Sequence, residues 1–280
     1  MDKLKLSNVL KKFEEHLIID KGLGRKTVQG YCRSLSISLK RMRRYVPKYE
    51  HIKDHMLWMH KKEYSYSHIT NTSLAIEHYT AFKGEPVKLG RQKKPKRILK
   101  DFLSESEISR IIAVAPDVRR KCVASLLAYS GIRNQEFCNI KVEDLNLGAN
   151  EIRVLGGKNS KDYIVNISSE CANLLFSYLQ TYPRPKDAYL FTTLKRGNQL
   201  SGGDLRKILK VLTLKAGIER RVYPHLFRHS LASNLLKRGA SILMIKEQLG
   251  HAFIETSMIY VHSINMRAKS EYEHFKPAYA

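Results

Sequence analysis

Four polar side chains within residues 222–262 have the types and order that phosphodiester chemistry requires: His225, Arg228, His251 and Tyr260. A guanidinium neutralises non-bridging phosphate oxygens, an imidazole carries a proton or donates a hydrogen bond, and a phenolic oxygen can attack phosphorus. His225 and Arg228 are three residues apart, so on a helix they project from one face. Leu226, Phe227, Leu231, Leu235 and Leu236 recur beside them at helical spacing and predict a core-facing side. Pro224 suits a first helical turn and Gly239 the end of that helix. Ser241 caps a second, shorter helix that ends near Gly250. His251 follows at once, and Tyr260 lies nine residues on in a third helical run.

The pattern His-x-x-Arg-His, then Leu-Gly-His, then Tyr resembles the tyrosine recombinase (phage integrase, Xer-type) family. Upstream, Gly131 permits a tight turn, so Arg133 enters the next helix near its amino end, where backbone N–H groups favour an anion. This run, SGIRNQEFCNIKVEDL at 130–145, is similar to the family's first motif, Gly-Leu-Arg-x-x-Glu-Leu, with Ile132 and Phe137 as departures. The resemblance makes Arg133 a second phosphate clamp beside Arg228 and gives Glu136 and Asp144 supporting roles.

Residues 151–155 (EIRVL) and 162–167 (DYIVNI) alternate as strands do and are joined by GGKNSK. The family keeps an active-site lysine on such a hairpin, as general acid for the leaving 5′ oxygen. Lys158 is the match, and Lys161 stays a candidate because here the glycines precede the lysine. Tyr163 stands where the family usually has an arginine.

The elements that must position these groups belong to a strongly basic chain. Its 280 residues carry 50 Lys and Arg against 26 Asp and Glu, a formal charge of +24, which argues for a polyanionic partner. Residues 1–100 hold 24 Lys and Arg against 9 Asp and Glu, so this third is the more basic per residue. No run of about 18 apolar residues exists to span a bilayer, and the amino-terminal stretch reads as an amphipathic helix instead of a leader. Cys32, Cys122, Cys138 and Cys171 are scattered, which favours core thiols in a reducing compartment. The histidines at 51, 55, 60 and 68 lack zinc spacing, and no metal is expected.

Four helical segments are predicted at about 4–20, 25–46, 52–63 and 68–82. The second carries Arg33, Lys40, Arg41, Arg43 and Arg44 on its polar side, candidates for phosphate contact. Residues 85–100 contain Lys93, Lys94, Lys96 and Arg97 and read as a basic linker that can follow a DNA backbone. Lys161 is a further phosphate-contact candidate. Ser104 with Glu107 forms a capping box that opens a second domain.

The expected fold is mainly α with a small antiparallel β-sheet, in two domains. Residues 1–84 form a helical core-binding domain, 101–263 a catalytic domain, and 264–280 a tail that docks on a neighbouring protomer or on its own domain. By resemblance, Tyr260 forms a 3′-phosphotyrosyl bond while Arg133, Arg228, His225 and His251 hold the phosphate and Lys158 protonates the leaving oxygen. No metal or nucleotide cofactor is required. The implied partner is double-stranded DNA with an inverted-repeat core site, bound by a homo-tetramer or by a tetramer shared with a paralogous recombinase. The expected location is cytoplasmic and nucleoid-associated, with no membrane. Two other readings share parts of this pattern: a type IB topoisomerase-like enzyme, and a non-catalytic DNA-binding accessory protein.

Overall fold

In the computed structural model the described residues are 2–91, 93, 102–156, 162–193 and 197–250. The chain divides into two compact units, Met1–Ile98 and Leu99–Ala280.

The amino-terminal unit is built from α1 (Lys3–Ile19), α2 (Arg25–Met42), α3 (Tyr49–Lys61) and α4 (Tyr66–Phe82). Asp2 and Ser65 cap α1 and α4 through their side chains, each satisfying a backbone N–H that the first turn leaves without a partner. Phe13, Leu17, Val28, Leu35, Leu39, Ile52, Ile76 and Tyr79 form the core. The second helix ends earlier than residue 46, because Arg43 adopts the left-handed conformation (φ 53°) and stops it there. The Tyr79 hydroxyl donates to the Tyr45 carbonyl at 2.5 Å and anchors the turn that follows.

The beginning of the expected linker is not a bare tether. Val87 N–H donates to Thr80 Oγ1 at 3.2 Å, Leu89 N–H donates to Glu77 Oε1 at 2.7 Å, and Arg91 pairs with the same carboxylate at 2.6 Å. Val87 and Leu89 pack on the helical core. These two apolar side chains and the Glu77 carboxylate together hold the segment on α4.

The carboxy-terminal unit opens with α5 (Glu105–Ala113), held by the reciprocal Ser104–Glu107 capping box. It continues through α6 (Val118–Ser130), α7 (Asn134–Asn139), a 3-10 turn (Val142–Asp144), β1 (Leu145–Asn146), β2 (Glu151–Val154) and β3 (Tyr163–Asn166). Then come α8 (Ser169–Thr181), α9 (Gly202–Lys215), α10 (Pro224–Lys237) and α11 (Ile242–Leu249). The mainly α fold with a small antiparallel sheet is as expected, with one addition. The short strand β1 pairs Leu145 with Ile152 and makes a three-stranded sheet in the order β1-β2-β3.

Ile152 faces Val165 across β2 and β3, and both are buried in the core with Leu126, Leu127, Phe137, Leu175, Phe191 and Phe227. Cys122, Cys138 and Cys171 are free thiols buried there, and Cys32 is free and half-buried in the first unit. Burial pushes the thiols of Cys138 and Cys171 up to about 11, so they are inert core residues. Gln248 docks α11 on the sheet edge. Its Oε1 accepts from Asn166 N–H (3.0 Å) and its Nε2 donates to Asn166 O (2.8 Å), as a neighbouring strand would.

Candidate active site

The site begins with a turn that favours glycine. Gly131 ends α6 in the left-handed conformation (φ 63°), and a Cβ there would lie 2.8 Å from Leu249 Cδ2 and 2.9 Å from Leu231 Cδ2. The turn is therefore packed under α10 and α11. It places Arg133 at the N-cap of α7, one position before the helix. Glu136, 7% exposed, accepts from Arg133 N–H at 3.2 Å and from its Nη1 at 2.9 Å.

Helix α10 brings the second arginine. Pro224 sits at its first turn, where a missing N–H costs no helical hydrogen bond. His225 in that turn is exposed, whereas Arg228, one turn on, is 1% exposed. Their shared face is thus a boundary, with the histidine at solvent and the guanidinium in the interior. Arg228 Nη1 donates to Gly131 O at 2.8 Å, and its Nη2 donates to Leu249 O at 2.5 Å.

The carboxyl end of α11 is where the two arginines meet. Gly250 caps this helix in the left-handed conformation (φ 57°). Arg228 takes the Leu249 carbonyl, and Arg133 Nη2 takes the next one, Gly250 O, at 3.1 Å. Carbonyls at a helix end lack internal donors and carry the negative end of the helix dipole, so cations settle there. Two guanidiniums from separate elements are thereby held on consecutive peptide oxygens. Arg133 remains 37% exposed, open to a ligand from solvent.

Tyr163, at the start of β3, closes the arrangement. Its hydroxyl donates to Glu136 Oε2 at 2.8 Å, and its ring fills the space beside Gly250, where a Cβ would lie 2.6 Å from ring carbons. Burial and the adjacent Glu136 carboxylate push the phenol up to about 12, so it stays a neutral donor. Sequence reading marked Tyr163 only as a departure from a motif; its spacing from Glu136 gives no local signal of the pairing. Asp144 is a fixed structural anion, accepting from Lys141 N–H at 2.9 Å and from Arg153 Nη2 at 3.2 Å.

Of the other sequence-derived site residues, Lys158, His251 and Tyr260 lie outside the described residues, as do Lys161, Lys94, Lys96 and Arg97. Arg33, Lys40, Arg41, Arg43, Arg44 and Lys93 are all exposed. The Arg41 guanidinium lies 4.2 Å from the centre of the Trp58 ring, a stacking contact between α2 and α3 that periodicity does not reveal. A second basic surface also escaped the sequence reading. Arg206, Lys207 and Lys210 on α9 line a groove with Arg221, and the signal was present in their spacing along one helical face. Among the described residues no group of three or more His, Cys, Asp or Glu side chains could hold a metal ion, and no helix is long and apolar enough to cross a membrane.

Known proteins place this geometry in context. The phage integrase family matches residues 101–267. Tyrosine recombinase XerA of Pyrococcus horikoshii is 32% identical over 259 residues, spanning 91% of this chain and 88% of its own. Tyrosine recombinase XerD of Staphylococcus epidermidis is 29% identical over 303 residues, spanning 97% of this chain and 99% of its own. A crystal structure of a XerA recombinase covers 98% of this chain and 100% of its own at a TM-score of 0.57 and 29% identity. That of a XerH site-specific recombinase bound to a palindromic difH substrate covers 99% of this chain and 85% of its own at a TM-score of 0.72; at 19% identity it speaks to the fold alone. The family match covers more than half of the chain and XerA is similar along nearly all of it, so this chain belongs to the phage integrase family of tyrosine recombinases.

Proposed function

We propose that this enzyme recombines DNA site-specifically, with Tyr260 as nucleophile and Arg133 and Arg228 as the clamp on the scissile phosphate. The observation that carries the reading is the convergence of both arginines on the last carbonyls of α11, directly before His251 in the chain. The Tyr260 oxygen attacks phosphorus and forms a 3′-phosphotyrosyl ester. The bond to the 5′ oxygen breaks, and that oxygen leaves as a hydroxyl after taking a proton from Lys158, or from Lys161 in its place. His225 and His251 donate to the phosphate or accept the phenolic proton. Paired guanidiniums stabilise charge that is greatest in the transition state, where their effect on rate is largest. The ester conserves the energy of the cut bond, so a 5′ hydroxyl from another duplex can reseal it.

The partner in this reading is double-stranded DNA carrying an inverted-repeat core site. The charge of +24, the exposed arginines of α2 and the basic groove of α9 support it. Residues 1–84 form the core-binding domain, the basic run through 93–97 follows the backbone, and 101–263 carry out the chemistry. Strand exchange between two sites calls for four active sites, hence a homo-tetramer or a tetramer shared with a paralogue, with residues 264–280 docking on a neighbouring protomer. The enzyme acts in the cytoplasm, on the nucleoid.

A nicked suicide substrate tests this directly. The wild-type chain should form a covalent protein–DNA adduct that resists denaturation, and Tyr260→Phe should form none. An adduct that persists in Tyr260→Phe, or no adduct with wild type on any flanking genomic DNA, sinks the assignment.

A further inference from the structure

The Arg133 guanidinium is not held by its own helix alone. Four residues from three elements close a ring: Tyr163 donates to Glu136, Glu136 accepts from Arg133, Arg133 donates to Gly250, and Gly250 abuts the Tyr163 ring. Glu136 is buried, so each of its oxygens needs a donor, and Oε2 receives the Tyr163 hydroxyl in addition to Arg133 N–H. The ring of Tyr163 fixes the α11 cap, whose carbonyls hold both arginines.

Tyr163 also pairs with Val154 as the last rung of the β2–β3 ladder before the turn. The hairpin whose turn carries Lys158 and Lys161 is thus tied through one phenol to the carboxylate that orients Arg133. Because Tyr163 is neutral, it adds a hydrogen bond to Glu136 and no second positive charge beside Arg133.

We propose that Tyr163 is a positioning residue: through Glu136 it sets the orientation of Arg133 toward the scissile phosphate, and through Gly250 it sets the carbonyls on which both arginines rest. The inference rests on the recombinase reading above. Tyr163 is not a nucleophile, since its hydroxyl is half-buried, committed to Glu136 and held protonated to about 12.

Tyr163→Phe keeps the ring beside Gly250 and removes only the hydroxyl. Single-turnover cleavage of the nicked substrate by this variant should fall about tenfold at saturating DNA, with the DNA concentration for half-maximal rate unchanged. In a Glu136→Gln background the same substitution should have little further effect, because the phenol acts through that carboxylate. The guanidinium 15N resonances of Arg133 should shift in Tyr163→Phe, a readout that needs no catalysis. An unchanged rate and unchanged Arg133 resonances overturn the proposal. So do additive effects of the two substitutions. Failure of the wild type to form an adduct overturns the recombinase reading instead, and the resonances then still decide whether Tyr163 orients Arg133.

Discussion

Arg133 and Arg228 donate to adjacent peptide oxygens, Gly250 O and Leu249 O, at the carboxyl end of one short helix. One arginine is partly exposed and the other is interior. The same charge in two environments separates catalysis from stability.

Replacing Arg133 by Lys keeps a cation but loses the planar fork that spans Glu136 and Gly250. Adduct formation should fall by about 10²–10³-fold, by analogy with loss of one oxyanion donor, with little change in melting temperature. A melting temperature that drops as far as the rate would show Arg133 to be mainly a scaffold.

Arg228→Lys should cost both. A lysine lacks the planar fork whose two ends reach the carbonyls of Gly131 and Leu249, and leaving either without a donor costs roughly 1–3 kcal/mol. Urea unfolding should show a clearly lower midpoint, and single-turnover cleavage should be lost in parallel. Full stability with lost cleavage would contradict the structural half of this assignment.

Gly131→Ala should be destabilising on two counts, the left-handed backbone and a Cβ pressed to within 2.8 Å of Leu249 Cδ2. We expect a loss of about 1–3 kcal/mol in chemical denaturation, in the range of an overpacked site. If the variant unfolds at the wild-type midpoint, the turn is not packed as described.

Trp58→Ala should weaken DNA binding severalfold, because Arg41 loses the ring that holds its guanidinium flat. Arg41→Ala should in addition lower the slope of log affinity against log salt by about one phosphate contact. Fluorescence anisotropy titrations at several salt concentrations read both. Wild-type affinity in both variants would remove Arg41 from the DNA-contacting surface.

His55 is 2% exposed, and its ring nitrogens have no hydrogen-bond partner among the described residues. Burial, then Arg41 and His68, push its pKa from the ordinary 6.5 down to about 4. The unfolded chain therefore takes a proton that the folded chain refuses between those values. Stability from this group is complete above pH 6.5 and lost as pH falls toward 4, on the order of 3 kcal/mol in all. Trp58, the single tryptophan, lies beside it, so its fluorescence can follow unfolding at each pH. His55→Leu should flatten the acid limb; an unaltered acid limb would refute this account.

What the amino-acid sequence determined on its own is what chemistry encodes locally. The Ser104–Glu107 box spans one helical turn and opened α5 where spacing predicts. The apolar periodicity gave the helical segments, and the order of His225, Arg228, His251 and Tyr260 pointed to the family that residues 101–267 match. Tertiary structure decided the rest. Pro47 marks the end of α2 only to within a few residues of Arg43, and nothing near Val87 and Leu89 says they fold back on α4, since that depends on distant packing partners. Nor does spacing show that Tyr163 reaches Glu136, or that two arginines far apart in the chain share the end of α11. A capping box is satisfied within a turn, whereas a buried carboxylate and bare helix-end carbonyls find their donors only when the whole unit packs.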